Sequence, residues 1–298
     1  MLLGVLMLAF NIRLTESLYP PPTEWTRTYG INGNDNEARS LVQTSDGGFA
    51  MLGFTRHYEG GWVYTSDFWL VKTDSAGNVE WNRTYGTPGY VNLESGQSVV
   101  QTDDGGYALV GYAGIWRDPA PLYDFWLIKT DSAGNMEWNQ TYGGTQKEEA
   151  HSMVQTGDGG YALVGCTNSS AATGSHDYWL VKTDSTGNVM WNQTYGGTGR
   201  DVAIAWSIVQ TVGEGYAMAG YMHDNTLGVT DFWLVKTCSG GDVNGDGVVD
   251  VLDLSLVGWS FGSFEGEPEY KPEADLNEDG IVDIGDISIV CMNYGTGY

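Results

Sequence analysis

The chain has 298 residues, with 13 Lys+Arg against 38 Asp+Glu and a formal net charge of −25 at pH 7. So acidic a surface repels phosphate, which excludes nucleic acid as a partner. The length accommodates a large repeat domain plus one small module, and 43 glycines fit a body rich in tight turns.

Residues 1–17 open with an apolar run, Leu2 to Phe10, too short to span a membrane and matching the h-region of a signal peptide. A buried first strand is the other reading. A basic n-region and an Ala-x-Ala cleavage site are missing, so the start of the leader is expected to be truncated. Residues 18–23 contain Tyr19-Pro-Pro-Pro22 and read as a stiff linker. The chain is therefore expected to be secreted or held at the cell surface.

Residues 24–237 repeat. Trp-x-x-Thr-Tyr-Gly occurs at Trp25, Trp81, Trp138 and Trp191, at steps of 56, 57 and 53 residues (81−25, 138−81, 191−138). Each period holds four strand-like segments. An alternating stretch ends at Asp-Gly-Gly, Tyr-Ala-Leu-Val-Gly returns, Asp-Phe-Trp-Leu-Val-Lys-Thr follows, and Val-Glu-Trp-Asn-x-Thr-Tyr-Gly closes. A period of this length with several strands marks a propeller or related array. The last copy stops at Leu234-Val-Lys-Thr237, before its fourth strand, and Glu24 to Gly30 is a spare copy of that strand. An unpaired edge is an aggregation hazard that closure removes. The expected fold is thus all-β: a small four-bladed β-propeller closed by its N-terminal strand. An open array, or two chains pairing into a larger ring, are the alternatives. Asp74, Gly77, Trp81 and their copies resemble the tryptophan-docking motif of quinoprotein-type propellers; the resemblance bears on fold and implies no quinone.

Residues present in all four copies are expected to be architectural. Asp67, Asp124, Asp177 and Asp231 are expected to bond backbone amides at a turn, and the tryptophans to pack between blades. What varies is more informative. The connections Phe54–Ser66, Tyr112–Tyr123, Cys166–His176 and Tyr221–Thr230 differ in length and carry Tyr58, Trp62, Tyr64, Trp116, Arg117, Tyr123 and Tyr221. Exposed rings with polar neighbours suit a glycan or a peptide, and loops packing on themselves are the plainer reading. An acid/base pair for hydrolysis is thinly represented, by Glu59, Asp118 and Asp224 in different loops. His57, His151, His176 and His223 lack ligand spacing, and Cys166 reads as a packed side chain. Asn82, Asn139, Asn168 and Asn192 head Asn-x-Ser/Thr sequons, of which Asn168 alone lies in a variable loop.

Residues 238–298 are different in kind. From Asp242 onward there are thirteen acidic residues and one Lys, Lys271. A twelve-residue loop occurs twice, at Asp242–Asp253 and Asp275–Asp286. Oxygen donors stand at positions 1, 3, 5, 9 and 12: Asp242, Asn244, Asp246, Asp250 and Asp253, then Asp275, Asn277, Asp279, Asp283 and Asp286. Gly247 and Gly280 occupy position 6, and the carbonyls of Val248 and Ile281 at position 7 complete the set. This is the spacing by which an EF-hand-type loop surrounds Ca²⁺. Asp at position 12, the tandem copies and the apolar helix after each loop resemble a type I dockerin over roughly 241–294. The resemblance implies a small α-helical domain, two Ca²⁺ ions and a cohesin-type partner contacted through Val251, Leu252, Ile284 and Gly285. Cys238 and Cys291 flank the unit and are placed to pair. The reading is a secreted, non-catalytic binding protein. A polysaccharide-active hydrolase of a cellulosome-like complex, or a structural surface protein without a ligand, are the alternatives.

Overall fold

The computed structural model describes residues 23–31, 33–60, 63–87, 92–115, 122–144, 146–168, 176–196, 202–211, 215–224, 227–237, 243–244, 249–277 and 279–292, with backbone only at 59, 60, 63, 64, 92, 115 and 292. The N-terminal run 1–22 lies outside them. Among the described residues no helix is long and apolar enough to cross a membrane.

Each repeat is an antiparallel meander. Unit 1 holds β1 (Asp35–Gln43), β2 (Phe49–Gly60), β3 (Val63–Thr73) and β4 (Val79–Tyr85). Unit 2 holds β5 (Asn92–Gln101), β6 (Tyr107–Ile115), β7 (Leu122–Thr130) and β8 (Met136–Tyr142). Unit 3 holds β9 (Glu148–Gln155), β10 (Tyr161–Thr167), β11 (Asp177–Thr183) and β12 (Val189–Tyr195), and unit 4 stops at three strands, β13 (Val202–Gln210), β14 (Tyr216–Asp224) and β15 (Val229–Lys236). Units 1 and 2 touch edge to edge through one parallel pair, Ser66 with Leu93.

The turns follow from their residues. At Thr44-Ser-Asp-Gly-Gly48, Gly47 adopts φ +85° and its N–H donates to the Thr44 carbonyl at 2.8 Å. Asp46 Oδ1 accepts the Gly48 N–H at 2.9 Å, and a Cβ on Gly48 would meet the Thr73 carbonyl at 2.1 Å. Glycine is obligatory at both places, for conformation at one and for space at the other. The recurrent lysine is buried yet paired: Lys72 Nζ donates to Asp46 at 2.8 Å, Glu80 at 2.6 Å and the Thr73 carbonyl at 2.8 Å.

The hydrophobic cores lie between units, because each sheet has two apolar faces and its neighbours supply the cover. Leu52, Phe68 and Leu70 of unit 1 pack with Tyr107, Leu109 and Trp126 of unit 2, and the same arrangement recurs at the next two junctions. Phe68 meets Trp126 at 4.9 Å, Phe125 meets Trp179 at 4.7 Å and Tyr178 meets Trp233 at 4.4 Å. The fourth-strand tryptophan docks forward: Trp81 onto Tyr107, Trp138 onto Tyr161, Trp191 onto Tyr216. Tyr85 donates to the Gly134 carbonyl and Tyr142 to that of Gly187, each at 2.8 Å. Gly134 has φ +76°, and a Cβ there would stand 2.7 Å from the Trp81 ring. Gly134→Ala is therefore expected to cost at least ~2 kcal/mol, by strain plus loss of docking. Gly105→Ala, at φ +81° with open space around it, should cost about 1 kcal/mol. Denaturant unfolding of the two variants separates the terms.

Ring closure by the N-terminal segment is not seen among the described residues. Residues 24–30 make no strand, and β15 pairs with β14 and with no other described strand. The segment instead lies on unit 1, with Trp25 at 6.0 Å from Phe49 and the Tyr29 hydroxyl donating to the Gly77 carbonyl at 2.9 Å. It thus docks as a fourth strand docks on the following unit, but without a sheet of its own. The described residues form four successive β-meanders, among which a closed ring is not seen.

Among the described residues no turn amide is seen to donate to Asp67 or Asp124, where such bonds were expected. A Cβ on Gly86 would stand 2.1 Å from Asp67 Oδ1, and one on Gly143 would stand 1.9 Å from Asp124 Oδ1, so the repeated Tyr-Gly makes room for the carboxylate. The sequon asparagines of the repeated strand hold tryptophans: Asn82, Asn139 and Asn192 accept from Trp69, Trp126 and Trp179 at 3.3, 3.0 and 3.0 Å.

The C-terminal module is two short helices, α1 (Val251–Ser260) and α2 (Ile284–Met292), with a 3₁₀ turn at Pro272–Ala274. Its core is Val243, Val249, Val257, Ala274, Val282 and Val290. Cys291 is exposed and free; its suggested partner Cys238 lies outside the described residues.

Candidate functional sites: two acidic loops and a bulged inner face

In the second acidic loop the side chains fold the backbone around a common centre. Asp275 accepts the Asp279 N–H at 3.2 Å and the Gly280 N–H at 2.9 Å. Asn277 Oδ1 accepts the Asp279 N–H at 3.1 Å, and Asp279 Oδ1 accepts the Ile281 N–H at 3.0 Å. Gly280 has φ +83°, the sharp turn required at position 6. Asp286 at position 12 is fully buried and takes three amides, from Leu276 at 2.6 Å, Asn277 at 3.2 Å and Asp283 at 2.8 Å. Asp253 does the same in the first loop, with Val243 at 2.7 Å, Asn244 at 3.0 Å and Asp250 at 2.8 Å.

Position 9 has a second task. Asp250 caps α1 by accepting the Leu252 N–H at 2.7 Å, and Asp283 accepts that of Gly285 at 2.6 Å. A carboxylate has about four acceptor sites, so these bonds leave lone pairs for an ion. Among the described residues no ion pair reaches Asp253, Asp275 or Asp286, although all three are buried. Buried carboxylates without a protein cation, set among amide-organised oxygens, fit a hard divalent cation. Asp275, Asn277, Asp279, Ile281, Asp283 and Asp286 would hold it in the second loop. Asp242, Asp246 and Val248 of the first loop lie outside the described residues. Val251, Leu252 and Ile284 are exposed on the first turns of the helices.

The repeat units carry a feature that sequence reasoning missed. Every inner strand has a β-bulge at the same register. It expels Arg39 in β1, Gln97 in β5, His151 in β9 and Trp206 in β13. Two residues upstream of each, a side chain faces a cross-strand partner: Glu37 with Phe54, Ser95 with Tyr112, Glu149 with Cys166, Ile204 with Tyr221. A bulge re-aims a side chain and is common beside functional sites. Its position is constant here, while the residues it presents differ in all four units. The signal was present in the sequence, at the bulged residue and the residue two before it, but these fall at different places along the four strands and only the bulge makes them comparable.

The first two bulged sets border a cavity of ≈ 220 Å³ lined by Glu37, Arg39, Phe54, Arg56, Tyr112 and Tyr123, among others. Arg39 pairs with Glu37 at 3.0 Å, and Arg56 lies over the Phe54 ring at 5.1 Å. Tyr112 and Tyr123 are 4.9 Å apart, and Lys147 Nζ lies 5.6 Å from the Tyr123 ring. Two guanidiniums, two phenols and one carboxylate can bind an oxygen-rich ligand. Of the loop aromatics, Tyr123 joins this cavity. Tyr58 lies apart, donating to Asp35 at 2.7 Å, and Tyr221 pairs across its sheet with Phe232. Trp62, Trp116, Arg117, Glu59, Asp118 and the Tyr64 side chain fall outside what is described. Asp224 accepts the Leu227 N–H at 2.9 Å.

Buried carboxylates also meet between units. Burial, and then the neighbouring Glu148 with which it shares a hydrogen bond, raises Asp124. Burial pushes Glu94 up to about 7 against the bonds from Thr87, with Asp67 adding repulsion. A carboxyl whose pKa is higher folded than unfolded contributes stability in acid that is lost as pH rises from about 4.5 through 7. Glu94→Gln is therefore expected to stabilise the protein by about 2 kcal/mol at pH 8, to change little at pH 4, and to flatten the stability curve between. Thermal melts across that range check it.

Residues 240–293 match the Dockerin type I domain. No curated protein matches the chain. Among solved structures, a protein of unknown function from Bacteroides caccae is similar over 71% of this chain and 63% of its own length, at 9% identity and TM-score 0.39. An endo-arabinase from Bacteroides thetaiotaomicron VPI-5482 is similar over 66% of this chain and 73% of its own, at 9% identity and TM-score 0.39. An ACO/RPE65 chimera is similar over 70% and 51%, at 11% identity and TM-score 0.38. Dockerin domains bind calcium and cohesins, and proteins bearing them are typically extracellular or at the cell surface.

Proposed function

We propose that this is a secreted or surface-held, non-catalytic binding protein. Its C-terminal module, loaded with two Ca²⁺ ions, anchors it to a cohesin, and its repeat units recognise an oxygen-rich glycan or a peptide. The carrying observation is the Dockerin type I match at 240–293 over two loops whose buried aspartates have no protein cation among the described residues. Val251, Leu252 and Ile284, exposed beside the loops, form the apolar contact, with Gly285 admitting close approach. Binding of the full chain to a panel of immobilised cohesins, with calcium and with chelator, tests the anchor; capture indifferent to calcium refutes it. Leu252→Ser is expected to weaken the responding cohesin about tenfold, by loss of ~1.5 kcal/mol of buried apolar surface. Calorimetry reads this, and an unchanged affinity removes Leu252 from the interface.

For the repeat units, binding is favoured over catalysis because the cavity offers two arginines and two tyrosines but a single carboxylate, Glu37, already paired with Arg39. A glycan and peptide array probed with the parent and with Arg39→Ala tests this. Hydrolysis of any arrayed polysaccharide would overturn the non-catalytic reading.

A further inference from the structure

We propose that Glu149, His151 and Cys166 form a binding site for a borderline divalent cation of the zinc class, separate from the calcium loops. The three ligand atoms, one oxygen, one nitrogen and one sulfur, all lie within 4.8 Å of one another. They converge by construction. Glu149 and Cys166 are directly opposed across β9 and β10, and the bulge after Ala150 turns His151 to the same side. In a tetrahedral zinc site with bonds of ~2.0–2.3 Å, ligand atoms stand on the order of 3.5 Å apart, so side-chain rotation of about an ångström closes the set.

A second observation points to a missing ligand. His151 is 9% exposed, and among the described residues neither of its ring nitrogens has a hydrogen-bond partner. The ring is held in place by Trp206 of the next unit, at 4.1 Å between centroids. A buried imidazole with two unsatisfied nitrogens is costly, and a metal ion satisfies one of them with a bond no neighbouring side chain supplies. His176 Nδ1 is also buried and has no hydrogen-bond partner among the described residues. Imidazole, thiolate and carboxylate together select zinc-like ions over calcium, which takes oxygen alone.

The four-fold repeat supplies an internal control. The same register holds Glu37, Arg39 and Phe54 in unit 1, Ser95, Gln97 and Tyr112 in unit 2, and Ile204, Trp206 and Tyr221 in unit 4. Only unit 3 presents three metal-binding side chains. Cys166 is fully buried. A metal binds the thiolate, so loading releases the thiol proton, and Glu149 exchanges its present partner, Lys147 at 3.1 Å, for the ion. Three protein donors leave one position for water or an exogenous ligand.

The test uses the full, calcium-loaded, tag-free chain with Cys238→Ser and Cys291→Ser, which leaves Cys166 as the sole thiol. Titration with Co²⁺ is expected to give one equivalent of a thiolate-to-cobalt charge-transfer band, displaced by Zn²⁺. The band should vanish in Cys166→Ser and His151→Ala, and the affinity should fall at least ~tenfold in Glu149→Gln, while metal-free melts match the parent. Absence of the band in the parent, or its persistence in Cys166→Ser, overturns the site. Should His151→Ala fail to fold, Glu149→Gln decides: unchanged cobalt affinity there also overturns it. Zinc bound equally by parent and Cys166→Ser would place the ion in the acidic loops instead and refute the proposal.

Discussion

Chelating calcium is expected to unfold the C-terminal module while the repeat units stand. Asp242, Asp246, Asp253, Asp275, Asp279 and Asp286 crowd two short loops with no protein cation among the described residues to balance them. The core that opposes their repulsion is small, four valines and an alanine around α1 and α2 with Val243 beside them. A domain of this size rarely holds together without a metal or a disulfide. Its Cys291 is free, which leaves the ion as the staple. Limited proteolysis with mass-spectrometric mapping should show cleavage within 238–298 appearing on chelation and disappearing when calcium returns. Asp286→Ala should reproduce the effect at one loop, since it removes both a donor and the acceptor of three amides. Calcium affinity of the second loop should drop about a hundredfold or more, the scale of losing some 3 kcal/mol. Protection equal with and without chelator would show that the valine core suffices alone.

This module was the most legible part of the sequence because its chemistry is linear. All the donors of one ion lie within twelve consecutive residues, so spacing alone reveals the site. The meanders were legible for a related reason. Asp-Gly-Gly and Asp-Ser-Ala-Gly-Asn fix each turn locally, and period-two alternation fixes each strand between them. The bulged inner face was not, because its residues come together only through register. Glu149 and His151 are two apart in one strand and Cys166 is in the next, a spacing that resembles no contiguous motif. Cys166 read as packed, and it is buried; what the sequence could not show is what it is buried beside.

That no strand is seen beside β15 among the described residues, other than β14, has a similar cause. A fourth strand has two separable properties, the face that docks on the next unit and the edge that pairs with its own sheet. Repetition of Trp25 and Tyr29 specifies the first, and the segment does dock on Phe49 and Gly77. Pairing with β15 depends on the curvature accumulated over three junctions, which no single repeat encodes.

That separation makes β15 the other place where a large effect is expected. Phe232 is 102% exposed, and Leu234 is exposed beside it. Their counterparts Phe68, Phe125 and Tyr178 are each fully buried against the tryptophan of a following unit. An edge strand that is apolar on its face, and that has no partner on its outer side among the described residues, is a template for another chain. A second copy offers the complement, a docked extended segment at 24–30 that pairs with no described sheet. The chain is therefore expected to self-associate head to tail, with the mass in sedimentation velocity rising with concentration. Phe232→Asp with Leu234→Lys removes two side chains worth ~1.5–3 kcal/mol each when buried, so the dimer should weaken by roughly a hundredfold or more. Deleting 24–30 should also abolish association and, separately, destabilise unit 1 by ~3 kcal/mol, because Trp25 leaves Phe49 uncovered. Deleting the same number of residues at 14–20 is the control and should do neither. The two deletions distinguish docking from pairing: if removal of 24–30 lowers the stability of unit 1 but leaves the mass unchanged, the strand serves its own unit alone and the edge of β15 pairs with something other than a second copy.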